Sequence, residues 1–220
     1  MRHVAPAPVG PHASCRSRAV RVAASAIVAC CLAVLSGCGG GPARVPVATV
    51  DADGAAAALV ARVDADGDGG LSAAECDAVP GIARSIAQYD TDADGRLTPQ
   101  EIAARIRKWQ AARVARVACS FPVTLDGRPL VDAVVRLEPE PEFAASVPPA
   151  TGRTDATGRV AARAEGDLPG VSPGLYRVVI EHERLAKLPR YNAATTLGIQ
   201  VAPDDPAMMT LSLDLKSSPR

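Results

Sequence analysis

Two stretches of the chain carry oxygen-bearing side chains at matched intervals. Residues 64–75 read DADGDGGLSAAE and residues 90–101 read DTDADGRLTPQE. In both, places 1, 3 and 5 are Asp, place 9 is Ser or Thr and place 12 is Glu, with Gly at place 6 and Leu at place 8. A hard divalent cation such as Ca²⁺ takes about six to eight oxygens at roughly 2.3–2.6 Å, and this spacing supplies them. In the first copy Asp64, Asp66 and Asp68 each offer one carboxylate oxygen. The Gly70 carbonyl adds another, Ser72 contributes through a water, and Glu75 closes the shell with both oxygens. The second copy repeats this with Asp90, Asp92, Asp94, the Arg96 carbonyl, Thr98 and Glu101. Gly69 and Gly95 take the positive φ that lets each loop double back. Leu71 and Leu97 point away from the ions and pair in a short two-stranded ribbon.

Helices must hold these loops. Residues 56–63 enter the first, with Leu59, Val60 and Val63 on one face. Residues 75–79 leave it and stop at Pro80-Gly81. Ile82, Ile86 and Tyr89 form the second entering stripe. Pro99 sits in the first turn of the last helix, where its missing N–H costs nothing, and Ile102, Ile106 and Trp109 continue the apolar stripe. Neither half buries enough alone, so the four helices share one small core. Asp53 is expected to cap the first helix. The DADG at 51–54 fails as a third loop, because Ala55 and Arg62 fall at ligand places. Ser72 with Glu75 and Thr98 with Glu101 also have capping-box spacing, but capping alone does not account for three alternating aspartates upstream of each. The basic residues Arg105, Arg107, Lys108, Arg113 and Arg116 read as a solvated face of the last helix, or as a patch for lipid headgroups or acidic polymer.

These residues resemble the EF-hand family, and both copies match at every ligand place. The resemblance implies two Ca²⁺ ions, one per loop. The loops start at 64 and 90, 26 residues apart, which leaves short linking helices. Dockerins also use duplicated calcium loops, but normally carry Asp at the twelfth place, where this chain has Glu twice.

The chain begins with Arg2, Arg16, Arg18 and Arg21 and no acid, followed by an apolar run over 22–35. Fourteen residues are short for a membrane span and suit a signal-peptide core. The run ends in Leu35-Ser36-Gly37-Cys38, which resembles the lipobox of bacterial lipoproteins. That implies an acylated Cys38, a signal over 1–37 and a tether over 38–53. Acyl chains contribute about 0.8 kcal/mol per buried CH₂, and the implied location is the cell envelope, outside the cytoplasm. Gly39 after the cysteine favours the outer over the inner membrane. An ordinary secretory signal and a retained anchor are the other readings. Without the signal the charge is 20 basic against 24 acidic residues, and no basic domain with interleaved aromatics points to nucleic acid. Cys76 and Cys119 remain, free or bridged.

From residue 117 the apolar period changes. Strands are expected over 121–125, 131–137, 160–164, 175–180, 195–201 and 209–215, with turns at Asp126-Gly127 and 154–158. About seven short strands argue for a sandwich. The phrases VTLDGRPLVDAVVRLEP, TDATGRV and SPGLYRVVI resemble transthyretin-like domains that accompany carboxypeptidases. Asp132 stands where that family often has Gly, and Val160 where an aromatic is common. Tyr176 reads as core. His182 is the one histidine left after the signal and reads as a strand-end surface residue. It has no partner constellation for catalysis, and no small-molecule substrate is evident.

The expected fold is therefore α+β and multidomain. A helical EF-hand pair spans 54–116, an all-β prealbumin-like sandwich spans 117–216, and 217–220 is a tail. The expected function is that of a calcium-binding, membrane-anchored lipoprotein and not an enzyme. Its sandwich faces an unknown protein or cell-wall partner. A structural or adhesive surface module, with calcium as a secondary stabiliser, is the alternative.

Overall fold

The computed structural model describes Met1, His3 and residues 45–164 and 169–218. Helix α1 (Ala52–Val63) starts at Asp51, whose extended backbone lets its carboxylate accept from the Gly54 N–H at 3.1 Å. The N-cap is thus Asp51 rather than Asp53. Asp53 lies in the first turn, where an acid still complements the helix dipole, and it pairs with Arg107. The first acid loop runs into β1 (Leu71–Ser72) and the one-turn α2 (Ala73–Cys76). Pro80, expected to end a helix, instead begins α3 (Pro80–Ala83) from the N1 position. The segment expected as one entering helix breaks at Ser85 and resumes as a single 3₁₀ turn, Ile86–Gln88. The second acid loop follows, then β2 (Arg96–Leu97) and α4 (Pro99–Ala111). Strands β1 and β2 pair antiparallel with Leu71 opposite Leu97. Both leucines are fully buried, and each contributes roughly 1.5–3 kcal/mol.

The remaining strands are β3 (Cys119–Leu125), β4 (Arg128–Pro129), β5 (Val134–Pro139), β6 (Ala150–Arg153), β7 (Arg159–Ala164), β8 (Gly174–Glu181), β9 (Gly198–Val201) and β10 (Leu213–Leu215). They form one curled sheet in the order β10-β3-β7-β6-β5-β8-β9, with β4 hung on β3. All pairings are antiparallel except β10 on β3. Two residue pairs, Ala150 with Ala164 and Thr151 with Arg163, join the halves β10-β3-β7 and β6-β5-β8-β9. Hydrogen bonding therefore carries round the corner where two facing sheets were expected. Alternation is clean in β7, where Val160, Ala162 and Ala164 turn inward and Arg159, Ala161 and Arg163 outward. Asp126 and Gly127 both have positive φ, the primed turn that suits a tight hairpin. Asp132 also sits at positive φ, +61°, which is the conformation a glycine at that place would adopt freely. Strand β6 was not expected from the sequence. The expected strand over 209–215 is shortened, because α5 (Ala207–Thr210) takes its first half and leaves Met209 exposed.

Helices and sheet share a single apolar core within the compact unit Val45–Arg220. Trp109 of α4 packs edge-on against Tyr89 at 6.5 Å and lies 6.1 Å from Phe143, which follows β5. Between the two acid loops, Gly81 of α3 lies backbone to backbone against Gly198 of β9. A Cβ on Gly198 would fall 2.5 Å from the Gly81 nitrogen. Two side-chain-free positions thus let α3 cover the edge strand β9, which would otherwise present unpaired backbone groups.

Candidate metal centre

The ribbon sets the two acid loops side by side. In the first, carboxylate oxygens of Asp64, Asp66 and Asp68 lie within 4.8 Å of one another, and in the second those of Asp90, Asp92 and Asp94 do the same. Backbone amides shape both. Gly67 and Gly69 donate to the two oxygens of Asp64 at 2.7 and 2.9 Å. Asp68 donates to Asp66 at 3.1 Å, and Gly70 to Asp68 at 3.1 Å. In the second loop Gly95 donates to Asp90 at 3.0 Å, Asp94 to Asp92 at 3.3 Å and Arg96 to Asp94 at 2.8 Å. Gly69 and Gly95 have φ of +84° and +83°.

The closing acids are engaged elsewhere. Glu75 accepts from the Ala65 amide at 2.7 Å, the Ser72 amide at 2.8 Å and the Ser72 hydroxyl at 2.7 Å. Glu101 does the same with the Thr91 and Thr98 amides, both at 2.9 Å. Both capping boxes are formed. Each glutamate thus straps the start of its loop to the helix that leaves it, outside the aspartate triad. The amide and hydroxyl of Ser72 and the Ala65 amide hold the Glu75 carboxyl down at about 2. Partial burial works against Glu101, but the amides and hydroxyls of Thr98 and Thr91 outweigh it and lower its carboxyl too. The Asp68 amide pulls Asp66 down, but desolvation and the neighbouring charges of Asp68, Glu75 and Asp64 leave it raised.

The Gly70 and Arg96 places also interact. Arg96 crosses the ribbon from the second loop and pairs with Asp68 of the first, which lowers the Asp68 carboxyl. Gly70 makes room, since a Cβ there would meet the guanidinium at 3.2 Å.

The donor chemistry fits a hard cation, because every side chain in the two triads is a carboxylate. One further feature fits. Asp90 Oδ1 is buried and has no hydrogen-bond partner among the described residues, so a carboxylate oxygen faces inward unsatisfied. Three carboxylates do not by themselves specify which ion.

The buried charges of Arg105 and Glu140 went unforeseen in the sequence. Arg105, expected on a solvated face, is 4% exposed. It donates to Gln88 at 2.5 Å, Gln200 at 3.3 Å and Asp204 at 2.7 Å, and lies 5.9 Å from the centre of the Trp109 ring. Its position was a readable signal, because it stands three residues after Ile102 and four before Trp109, on the apolar stripe. Arg62, at the end of α1, pairs with Glu140 at 3.2 Å and Glu142 at 2.6 Å beyond β5. Burial pushes the Glu140 carboxyl up, against the pull of Arg62.

Cys76 and Cys119 are both buried and form no bridge among the described residues. Desolvation raises their thiols to about 11 and about 12, so neither is a poised nucleophile. His182 follows β8 and accepts from the Arg184 amide at 3.1 Å. Tyr176 is buried and donates to the Ser172 carbonyl at 2.8 Å. An open groove of about 660 Å³ crosses β5 and β8, its floor laid with the pairs Arg136–Glu181 and Arg177–Glu138. Cys38 lies outside the described residues, and among those described no helix is long and apolar enough to cross a membrane. Comparison with family models, curated proteins and solved structures found no match.

Proposed function

We propose that the chain is a calcium-binding lipoprotein whose two loops form an EF-hand pair, each loop taking one Ca²⁺. The supporting observation is the repetition of one donor set. Two aspartate triads are drawn together in loops joined by the Leu71–Leu97 ribbon, with an unpartnered carboxylate oxygen on Asp90. Asp64, Asp66, Asp68, Gly70, Ser72 and Glu75 would hold one ion. Asp90, Asp92, Asp94, Arg96, Thr98 and Glu101 would hold the other. A bound ion would supply positive charge where the three aspartates of each loop converge. The chain's own residues set the rest. Glycines turn the loops, and the capping boxes hold Glu75 and Glu101 near the triads. The role is stabilisation and orientation of an envelope module tethered through Cys38, without catalysis. The curled sheet is read as a prealbumin-like domain that offers a contact surface.

Titration calorimetry on Val45–Arg220 tests this. That unit contains every buried core residue among those described. Two bound Ca²⁺ per chain are expected, with dissociation constants at or below about 10⁻⁴–10⁻³ M. Uptake should be lost in Glu75→Gln plus Glu101→Gln. Absence of heat, or wild-type uptake by the double variant, refutes the sites. Mass spectrometry of membrane-fraction protein should find an acyl group on Cys38.

The groove over β5 and β8 favours a second reading, that of an adhesive module in which calcium is secondary. Capture of cell-wall material that persists in EGTA and is lost on reversing Arg136 and Arg177 would support it.

A further inference from the structure

The second loop is wired to the sheet. Gln88 ends the 3₁₀ turn that leads into the loop, two residues before Asp90. Arg105 lies one helical turn beyond Glu101 on α4, on the side by which the chain leaves the loop. The two meet beneath it, Arg105 Nη2 donating to Gln88 Oε1 at 2.5 Å. The same atoms reach the edge strand and the turn after it. Arg105 donates to Gln200 and Asp204, and Gln200 donates to Gln88 at 3.0 Å and Asp205 at 2.9 Å. Gln88 donates to the other Asp205 oxygen at 2.8 Å. That oxygen also accepts from the Ala207 amide at 2.9 Å, while the Met208 amide reaches the Asp205 carbonyl at 3.2 Å. The chain between the two loops is seated on β9 as well, through Gly81 and Gly198.

A guanidinium has five donors in a planar fork, and here the fork fixes three acceptors on three segments at once. The distance between Gln88 and α4 is the width of the second loop at its base. Any change in that width must strain or break the network, and the network in turn presets the width. Two sites that bias one element influence each other equally in both directions.

We propose that the second loop, strand β9 and the 202–208 turn form one cation-controlled unit, with Arg105 the positioning residue that transmits the width of the loop base to that turn. This rests on the calcium reading of the loop. Filling the loop orders the turn, and a firmly held turn in return tightens the hold on calcium.

Amide hydrogen exchange of Val45–Arg220 in CaCl₂ and in EGTA tests it, beside calorimetry on the same samples. Calcium should slow exchange at Asp205, Ala207 and Met208 about tenfold. The effect should vanish in Asp90→Asn and survive in Asp64→Asn. In an Asp64→Asn background, Arg105→Lys keeps the charge but cannot span the acceptors, and should weaken calcium binding about tenfold, within the usual range of site coupling. If calcium binds but those amides exchange alike in both buffers, the coupling is wrong and the calcium reading stands. Equal loss in Asp64→Asn overturns the assignment to the second loop, and unchanged affinity in Arg105→Lys overturns the role of Arg105. No calcium uptake by the wild type overturns both readings. If Arg105→Lys does not fold, the wild-type exchange still decides.

Discussion

The two acid loops share a pattern and differ in how far each is already satisfied. The first is relaxed. Gly67 takes a φ of +75° at no steric cost, and its amide meets Asp64. Arg96 lays a positive charge on Asp68. In the second, Ala93 stands in the place of Gly67 at a φ of +59°, a region that non-glycine residues avoid, and Asp90 Oδ1 is buried with no partner among the described residues. Beneath it lies the Arg105 network, whereas the first loop is held at one end by Arg62. One donor set thus sits in two local environments, and the strained backbone and unpartnered oxygen of the second loop are what a cation there would act on. The difference shows that ligand spacing alone does not rank two sites, and that neighbouring charges and backbone conformation do.

The largest contrast should come from the two anchoring arginines. Arg105→Ala leaves Gln88, Gln200 and Asp204 without their shared donor and should destabilise Val45–Arg220 by about 3 kcal/mol in urea unfolding. Arg62→Ala should cost about 1 kcal/mol, because Arg62 is partly in water and its pair is screened there. A larger loss for Arg62 would reverse the ranking of the two scaffolds.

Next in size is the gain from calcium. Binding at a hundredfold excess over the dissociation constant adds about 2.7 kcal/mol per site, which for a domain of this length is a rise of roughly 5–10 °C in melting temperature. Asp90→Asn should remove more of that rise than Asp64→Asn. Equal losses would show that the relaxed and strained loops bind alike.

Much of this was legible in the residues, and the limits have physical causes. The loops were, since Asp, Gly, Leu and Glu recur at fixed places and local geometry follows from them. The inward leucines and the tight turn at Asp126-Gly127 were legible for the same reason. Contacts between segments distant in sequence were not. Nothing local says that Arg105 meets Gln200 and Asp204 across some hundred residues, or that Arg62 meets Glu140. Strand β6, Ala150–Arg153, offers Ala, Thr, Gly and Arg with no apolar alternation, and it is a strand because β5 and β7 flank it. Residues 209–215 alternate well enough to read as a strand, but Pro206 starts a helical turn that consumes the first half.

A smaller test exchanges the fourth places of the loops. Ala93→Gly should relieve the left-handed strain and stabilise the cation-free protein by about 0.5–1 kcal/mol, while Gly67→Ala should cost about 1 kcal/mol. Chemical denaturation in EGTA reads both. If Ala93→Gly does not stabilise, the second loop is not the strained one.

The smallest effect is on acid stability. In EGTA the capping glutamates are bound by amides, so their carboxyls are lower in the folded chain than the usual value of about 4.3. A group depressed on folding contributes stability that is full above its unfolded value and lost as the pH falls through its folded one. Glu75 and Glu101 should therefore hold the cation-free protein together above about pH 4.3 and release it as the pH falls, Glu75 at about 2. Both are half-buried and still reach water, so each effect is modest and weakens with salt. Glu75→Gln should flatten the acid limb of the stability curve, as should Glu101→Gln. The first loop tests its sign most directly, because the Glu75 carboxyl has three donors upon it and little burial to oppose them. A Glu75 resonance that titrates near 4.3 in EGTA would mean that the strap is open in the absence of calcium, and that the first loop is no more relaxed than the second.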